Sequence, residues 1–223
     1  MKTDKMDTSI YKGIPAMSPP EVHAYLNEIG RGWTGHGVAL EAGCWLGATS
    51  RALMDGLVEA GYDKPFWAFD RWRANGAEVQ KAKLRGVQLH EGEDLKPIYA
   101  KNVSQTYTNL KMVQGRIPQK FSAYSGDPIE ICLFDAPKRN PVFLDSIRFC
   151  EPHFIPGVTV LGLMDYYTYR KHRDAHNTDW EKFLAPVEFI ETYADHFTLL
   201  REFPDKGSCV FFKYEKPISW KQR

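Results

Sequence analysis

The 223-residue sequence lacks the features that mark several large protein classes. No apolar run approaches the roughly 20 residues of a membrane helix, and the first residues, Met-Lys-Thr-Asp-Lys, contain no apolar signal core. The chain has no surplus of one charge, because 29 Lys and Arg oppose 28 Asp and Glu. Nucleic-acid binders usually carry a basic stripe. We therefore expect a cytoplasmic protein that binds neither a membrane nor a nucleic acid.

Cysteine is scarce, and its spacing excludes further classes of site. The four cysteines are Cys44, Cys132, Cys150 and Cys209. They form no C-x-x-C pair and stand in mostly apolar segments, so we expect buried free thiols in a reducing compartment. The chain also lacks a G-x-S-x-G elbow, which argues against a serine hydrolase.

The apolar pattern predicts one domain preceded by an arm. Residues 1–37 are expected to form an arm and a helix, and residues 38–223 a single globular unit. The helix is predicted to start at Ser18-Pro-Pro-Glu21, where Ser18 is the expected capping residue, and to stop at Gly30.

The remaining chain alternates short apolar strands with helical segments. Strands are predicted at Val38–Leu40 and at residues 65–70, 110–115, 129–134 and 158–164, followed by a hairpin at 197–203 and 208–214. This alternation predicts an α/β fold with a mostly parallel sheet and helices on both faces. The hairpin is expected to add an antiparallel strand at one edge.

Acidic residues follow three of these strands. Glu41, Asp70 and Asp135 each come directly after an apolar run, so we expect them to meet at the carboxyl ends of the strands. Ligands of open α/β sheets bind at that edge. Gly43 and Gly47 follow the first strand and would allow a tight turn and a close approach to a ligand.

The acids distinguish between two kinds of cofactor. The first turn lacks the G-x-G-x-x-G spacing of a dinucleotide site, and Glu41 would repel a pyrophosphate. Asp70, at the end of the next strand, can accept hydrogen bonds from both hydroxyls of a ribose. The pair favours an adenosine-bearing cofactor with a cationic amino-acid tail over NAD.

At these positions the chain resembles class I S-adenosylmethionine-dependent methyltransferases, and most closely the macrocin O-methyltransferase family. The motifs that carry the resemblance are, in chain order, Glu41-Ala-Gly43 with Gly47, Phe69-Asp70, Val113-Gln-Gly115-Arg-Ile-Pro118, Asp135-Ala-Pro137 and Pro156-Gly157 leading to Met164-Asp165-Tyr166. The resemblance spans residues 38–170.

The resemblance implies a Rossmann-like, seven-stranded methyltransferase domain over residues 38–223. It implies methyl transfer from S-adenosylmethionine to a hydroxyl group of a sugar or a similar natural product. The expected cofactor-binding residues, including neighbours of the motifs, are Glu41, Gly43, Cys44, Trp45, Gly47, Asp70, Arg71, Gly115, Arg116 and Asp135.

On the acceptor side the chain departs from the family. The family holds a divalent metal with aspartates of two motifs, which correspond to Asp135 and Asp165, but Pro137 and Met164 stand where further acids are expected. Two carboxylates with waters would suffice for a weak Mg²⁺ site, so the need for a metal stays open. The expected catalytic residues are Asp135, Asp165, Tyr166 and His172, with Lys138 as another substitute base.

Two other functions remain open at this stage. Pro137 and Met164 are compatible with a cofactor-binding module that has lost catalysis, and an NAD-dependent α/β oxidoreductase is the third alternative. The identity of the small-molecule acceptor and the formation of a homo-oligomer are not determined by the sequence.

Overall fold

The structure is a computed structural model, and it describes residues 10–176, 180–205 and 207–220. The chain forms two compact units. The smaller unit comprises Met1–Gly32, Cys44–Gly61 and Trp72–Thr108, and the larger unit comprises Trp33–Gly43, Tyr62–Arg71 and Asn109–Arg223.

The smaller unit combines a short hairpin with four helices. The hairpin pairs β1 (Ile10–Tyr11) with β2 (Ile14–Pro15) in antiparallel fashion. The helices are α1 (Pro20–Arg31), α2 (Ala48–Glu59), α3 (Gly76–Lys83) and α4 (Lys96–Val103).

Helices α1 and α2 pack in direct backbone contact through two glycines. A Cβ atom at Gly30 would lie 2.4 Å from the carbonyl oxygen of Leu53, and one at Gly56 would lie 2.0 Å from that of Asn27. Both distances are too short for any larger residue. The glycines therefore determine how closely these two helices approach each other.

Asp55 of α2 is the centre of a hydrogen-bonded group that we call the Asp55 cluster. Its carboxylate accepts from the Tyr11 hydroxyl at 2.8 Å, the Lys12 ammonium at 2.8 Å, the Arg51 guanidinium at 2.9 Å and the Thr106 hydroxyl at 3.1 Å. Burial raises the pKa of Asp55, but the hydrogen bonds from Lys12, Arg51 and Tyr11 outweigh it and hold that pKa below its ordinary value. The cluster ties the hairpin and the segment after α4 to α2.

His23 of α1 is another buried polar group of this unit. Its Nε2 atom lies 2.7 Å from the Ser18 hydroxyl oxygen, and its ring packs edge-on against the Tyr11 ring. Burial lowers the pKa of His23 to about 4, because the imidazolium form is poorly solvated there. His23 is therefore neutral in the folded protein at neutral pH.

The larger unit contains a seven-stranded sheet. Its strands are β3 (Val38–Ala42), β4 (Phe66–Asp70), β5 (Leu110–Gln114), β6 (Ile129–Phe134), β7 (Val160–Leu163), β8 (Phe197–Phe203) and β9 (Cys209–Tyr214). The spatial order is β5-β4-β3-β6-β7-β9-β8. The first five strands of that order are parallel, and β9 is antiparallel to both β7 and β8.

The predicted α/β class and mostly parallel sheet with a C-terminal antiparallel hairpin are thus confirmed. The central strands β3 and β6 are buried at every residue, as continuous apolar runs in parallel sheets usually are. One face of the sheet contributes Leu40, Phe69 and Phe134 to a single apolar core. Helices α5 (Val142–Cys150) and α7 (Ala185–Thr192) contribute Phe143 and Phe189 to the same core.

Several local predictions are corrected by the structure. Pro19, not Ser18, caps α1, since the Ser18 hydroxyl contacts His23 instead of a backbone N–H, and α1 continues to Arg31. The first sheet strand extends through Glu41 to Ala42. The antiparallel strand β9 lies between β7 and β8 rather than at the edge of the sheet.

The cysteines and the membrane prediction can also be compared with the structure. All four cysteines are free and buried, as predicted. Among the described residues, no helix is long and apolar enough to cross a membrane.

Candidate functional site

The carboxyl ends of β3, β4 and β5 lie side by side. The Gly43 N–H donates to the Phe69 carbonyl at 2.8 Å, and the Gly115 N–H donates to the Asp70 carbonyl at 2.8 Å. These bonds continue the parallel ladder past the last residue of each strand. Asp70 is consequently placed beside the Gly43 turn, where its half-buried side chain stands at the edge of the sheet.

The edge continues across β6 and β7. The Asp135 N–H donates to the Ala42 carbonyl at 2.9 Å, and the Met164 N–H donates to the Phe134 carbonyl at 2.9 Å. Asp135 and Asp165 therefore follow neighbouring strands, and both are half-buried. The predicted gathering of strand-end acids at one edge is confirmed for Asp70 and Asp135, and Asp165 stands at the same edge.

This edge includes the point where the strand order reverses. From β3 the chain proceeds outward to β4 and β5, and it then returns to the other side of β3 to form β6 and β7. Such a switch point opens a crevice beyond the strand ends, which is where open α/β sheets bind ligands. Gly43 and Asp135 lie at that point.

Position 43 requires a glycine for two reasons, its backbone conformation and the closeness of Ala136. Its φ of +97° belongs to the left-handed region that favours glycine. A Cβ atom there would lie 2.4 Å from the Ala136 backbone nitrogen. The glycine thus allows the first turn and the turn after β6 to pack together, so this close approach is to protein rather than to a ligand.

Glu41 does not stand at the exposed end of its strand. It lies inside β3, opposite Ala68 of β4 and Leu133 of β6, and it is 0% exposed. The side chain of Glu41 thus has no solvent-exposed surface, and its predicted contact with the cofactor stays a prediction.

Three predicted cofactor residues belong to the smaller unit, in the loop before α2. The Gly47 N–H donates to the Cys44 carbonyl at 2.8 Å, and the Trp72 indole N–H donates to the Trp45 carbonyl at 3.2 Å. Gly47 has a φ of +93° and is the N-cap of α2. Cys44 and Trp45 are buried in this ordered loop.

The remaining predicted cofactor residues flank β4 and β5. Arg71 and Arg116 are exposed, and the Arg71 carbonyl accepts from the Gln114 side-chain amide at 3.4 Å. Gly115 has a φ of +142°, and a Cβ atom there would meet the Lys120 side chain at 2.5 Å. All three stand at the same edge of the sheet as Asp70.

Asp165 is the centre of a second group, the Asp165 cluster, which consists of Asp165, its hydrogen-bonding partners Lys138 and Thr168, and Asp135, whose charge acts on Lys138. The Lys138 ammonium donates to Oδ2 of Asp165, and the Thr168 hydroxyl donates to Oδ1 at 2.7 Å. Burial lowers the pKa of Lys138, but the charges of Asp165 and Asp135 and the hydrogen bond to Asp165 outweigh it and raise that pKa. Lys138 is therefore an ammonium at neutral pH, which does not suit a general base.

Two of the predicted catalytic residues are engaged by aromatic neighbours. Tyr166 is buried against Tyr167 and Phe212, and burial, with nearby negative charges, raises its pKa to about 12. Its hydroxyl therefore keeps its proton at neutral pH. The His172 ring stacks on the Phe183 ring with centroids 4.2 Å apart. His172 lies on α6 (Thr168–Asp174), the helix that Thr168 begins.

A divalent metal fits this arrangement poorly. Both oxygens of the Asp165 carboxylate accept hydrogen bonds, and Pro137 and Met164 bring no side-chain oxygen. Over the described ranges, no group of three or more His, Cys, Asp or Glu side chains could hold a metal ion. Mg²⁺ prefers near-octahedral oxygen ligation.

Sequence reasoning missed Thr168, which donates to Asp165 from the first residue of α6. Lys138 was named only as a substitute base, whereas the structure shows it as the cation of an ion pair.

Comparison with known proteins gives structural similarity only. No protein-family model and no curated protein sequence matches the chain. The fold is similar to that of an O-methyltransferase from Bacillus cereus in complex with S-adenosylhomocysteine, at 15% identity and a TM-score of 0.60 over 91% of this chain and 84% of that one.

Two further solved structures carry more specific names. The O-methyltransferase TomG from Streptomyces achromogenes, involved in tomaymycin synthesis and bound to S-adenosylmethionine, has a TM-score of 0.57 at 15% identity, over 90% of this chain and 82% of that one. CalS11, a TDP-rhamnose 3′-O-methyltransferase of calicheamicin biosynthesis, has a TM-score of 0.51 at 15% identity, over 87% and 77%. The chain therefore has the Rossmann-like fold of these O-methyltransferases, as predicted, and no match singles out the macrocin family.

Proposed function

We propose that the chain is an S-adenosylmethionine-dependent methyltransferase that modifies a hydroxyl group of a small molecule. The observation that carries the proposal is the placement of Asp70 beside Gly43 and Asp135, which lie at the switch point of the sheet. The similarity of the fold to O-methyltransferases supports the reaction type. The names of TomG and CalS11 support a natural-product or sugar acceptor.

In this proposal Asp70 binds the ribose of the cofactor. Its half-buried side chain stands at the end of β4, where an acid can accept hydrogen bonds from the two hydroxyls of a ribose. Gly115, Arg71 and Arg116 line the same edge beside it. Glu41 supports the site from inside β3.

Asp135 faces the acceptor in this proposal. S-adenosylmethionine supplies an electrophilic methyl group on a sulfonium. The acceptor oxygen forms the new bond to the methyl carbon while the carbon–sulfur bond breaks, and that electron pair stays on sulfur to give a neutral thioether. Asp135 takes the hydroxyl proton, and alignment of the oxygen with the methyl group supplies most of the acceleration.

The test is calorimetric titration of the full chain with S-adenosylhomocysteine. Asp70→Ala is expected to weaken binding about 10- to 100-fold, the loss that follows when hydrogen bonds to a charged group are removed. Asp63→Ala is the matched control, since Asp63 is exposed and precedes the same strand at its other end. Equal affinity of the two variants would remove Asp70 from the site, and binding of NADH instead would favour an oxidoreductase.

A cofactor-binding module without catalysis is the second candidate. It is favoured by the Asp165 cluster, because Lys138 and Thr168 already occupy the Asp165 carboxylate. The two functions are distinguished by incubation with radiolabelled S-adenosylmethionine and a panel of sugar and phenol acceptors. Labelled product would exclude the module, and cofactor binding with no product from any acceptor would favour it.

A further inference from the structure

The Asp165 cluster contains its own cation. The Lys138 ammonium donates to Oδ2 of Asp165, while Thr168 holds Oδ1 at 2.7 Å. The carboxylate of Asp135 acts on the same ammonium through its charge. Asp135 and Asp165 follow neighbouring strands, and Lys138, three residues after Asp135, extends from the turn after β6 to the Asp165 carboxylate.

A divalent ion that used both acids would have to displace this ammonium. It would gain Oδ2 of Asp165 only by breaking the ion pair, and it would leave the lysine charge beside a dication. An ammonium and a metal ion that share one carboxylate repel each other strongly where water is partly excluded. Pro137 and Met164, which flank the two acids, offer no oxygen from their side chains in compensation.

The net charge of the Asp165 cluster also favours a lysine over a divalent ion. Two carboxylates and one ammonium leave the cluster with one negative charge, whereas a dication with both carboxylates would be neutral without Lys138. One remaining negative charge suits a site that receives a monocation such as a sulfonium. The ion pair is 37% exposed at Lys138 and 25% at Asp165, so an added metal ion has access to it.

We propose that the Lys138 ammonium takes the place of a divalent cation at Asp135 and Asp165, which makes the site independent of metal. The inference rests on the methyltransferase function proposed above. In this proposal Lys138 is a positioning residue, because it holds the Asp165 carboxylate in place at the end of β7.

The test uses Mn²⁺ as the probe, observed by electron paramagnetic resonance with the full chain freed of metals by a chelator. The wild-type protein is expected to leave Mn²⁺ free. Lys138→Met removes the cation and leaves two carboxylates, so Mn²⁺ is expected to bind at least about tenfold more tightly. The double variant Lys138→Met with Asp165→Asn is expected to lose that gain, and Lys138→Arg to behave as the wild type.

Two results would overturn the inference. One is stoichiometric Mn²⁺ binding by the wild type that Asp165→Asn abolishes, and the other is a folded Lys138→Met protein without any gain in Mn²⁺ binding. If Lys138→Met does not fold, Lys138→Gln takes its place. Titration with S-adenosylhomocysteine in chelator tests the methyltransferase proposal separately, because the Mn²⁺ signal does not depend on the cofactor.

Discussion

The Asp55 cluster of the smaller unit and the Asp165 cluster of the larger unit each surround one carboxylate with a lysine and hydroxyl donors. Asp55 has four donors from several elements and is 9% exposed, whereas Asp165 has Lys138 and Thr168 and is 25% exposed. A deeply held carboxylate with many partners stabilises the fold. The Asp165 carboxylate is more exposed and stands at the strand ends, where the ligands of open α/β sheets bind.

The largest expected effect is on Asp55. Asp55→Ala leaves Arg51 and Lys12 without their carboxylate, and we expect the free energy of unfolding to fall by about 3 kcal/mol. Urea denaturation followed by circular dichroism measures the loss. Asp63→Ala, an exposed acid, is expected to change stability by less than about 0.5 kcal/mol. Similar losses in the two variants would show that Asp55 is no structural centre.

A pH titration of the free energy of unfolding separates the contribution of His23 from that of the Asp55 carboxylate. The pKa of His23 is about 4 in the folded protein, whereas its ordinary value is 6.5. As the pH falls, the imidazole of the unfolded chain therefore binds a proton before that of the folded protein does. The contribution of neutral His23 to the free energy of unfolding is fully present above pH 6.5. It declines toward pH 4, by about 2 kcal/mol between pH 7 and pH 5. The contribution of Asp55, whose pKa is lowered, is lost only below its ordinary value of 3.8.

The control for this titration is His23→Phe, which keeps a ring of similar shape. Its stability is expected to change much less than that of the wild type over the same interval, because no imidazole remains to bind the proton. If both proteins lose stability equally, the pH dependence comes from another group.

The smallest expected effect on stability is that of Asp165→Asn. The pair with Lys138 is partly exposed, so its loss is expected to lower the free energy of unfolding by no more than about 1 kcal/mol. Methyl transfer, measured with a labelled cofactor, is expected to fall at least about tenfold. A loss of stability as large as that of Asp55→Ala would contradict the contrast between the two clusters.

The sheet could be predicted from the sequence because its strands are short apolar runs between polar breaks. Strand β6 (Ile129–Phe134) agrees with the prediction residue by residue. The end of β3 does not, because a charged Glu41 was taken as the end of the strand, whereas backbone pairing with β4 and β6 continues past it. Backbone hydrogen bonds are indifferent to the charge of the side chain.

More of the cofactor side of the candidate site than of its acceptor side could be predicted from the sequence. The position of Asp70 follows from the parallel order of the strands. The pairing of Lys138 with Asp165 depends on the directions of two side chains 27 residues apart, which no local pattern encodes. Helix α3 was not predicted, although its capping box, Asn75 with Glu78, is readable in the sequence.

The order of the last strands has a consequence for how the protein is made. Strand β8 joins the sheet only through β9, which follows it in the chain and pairs with β7 on its other side. During synthesis, β8 leaves the ribosome without a partner, and β7 remains an unpaired edge until Cys209–Tyr214 has emerged. Unpaired edges are prone to intermolecular pairing, so the nascent chain is most exposed to aggregation just before its last strand is complete.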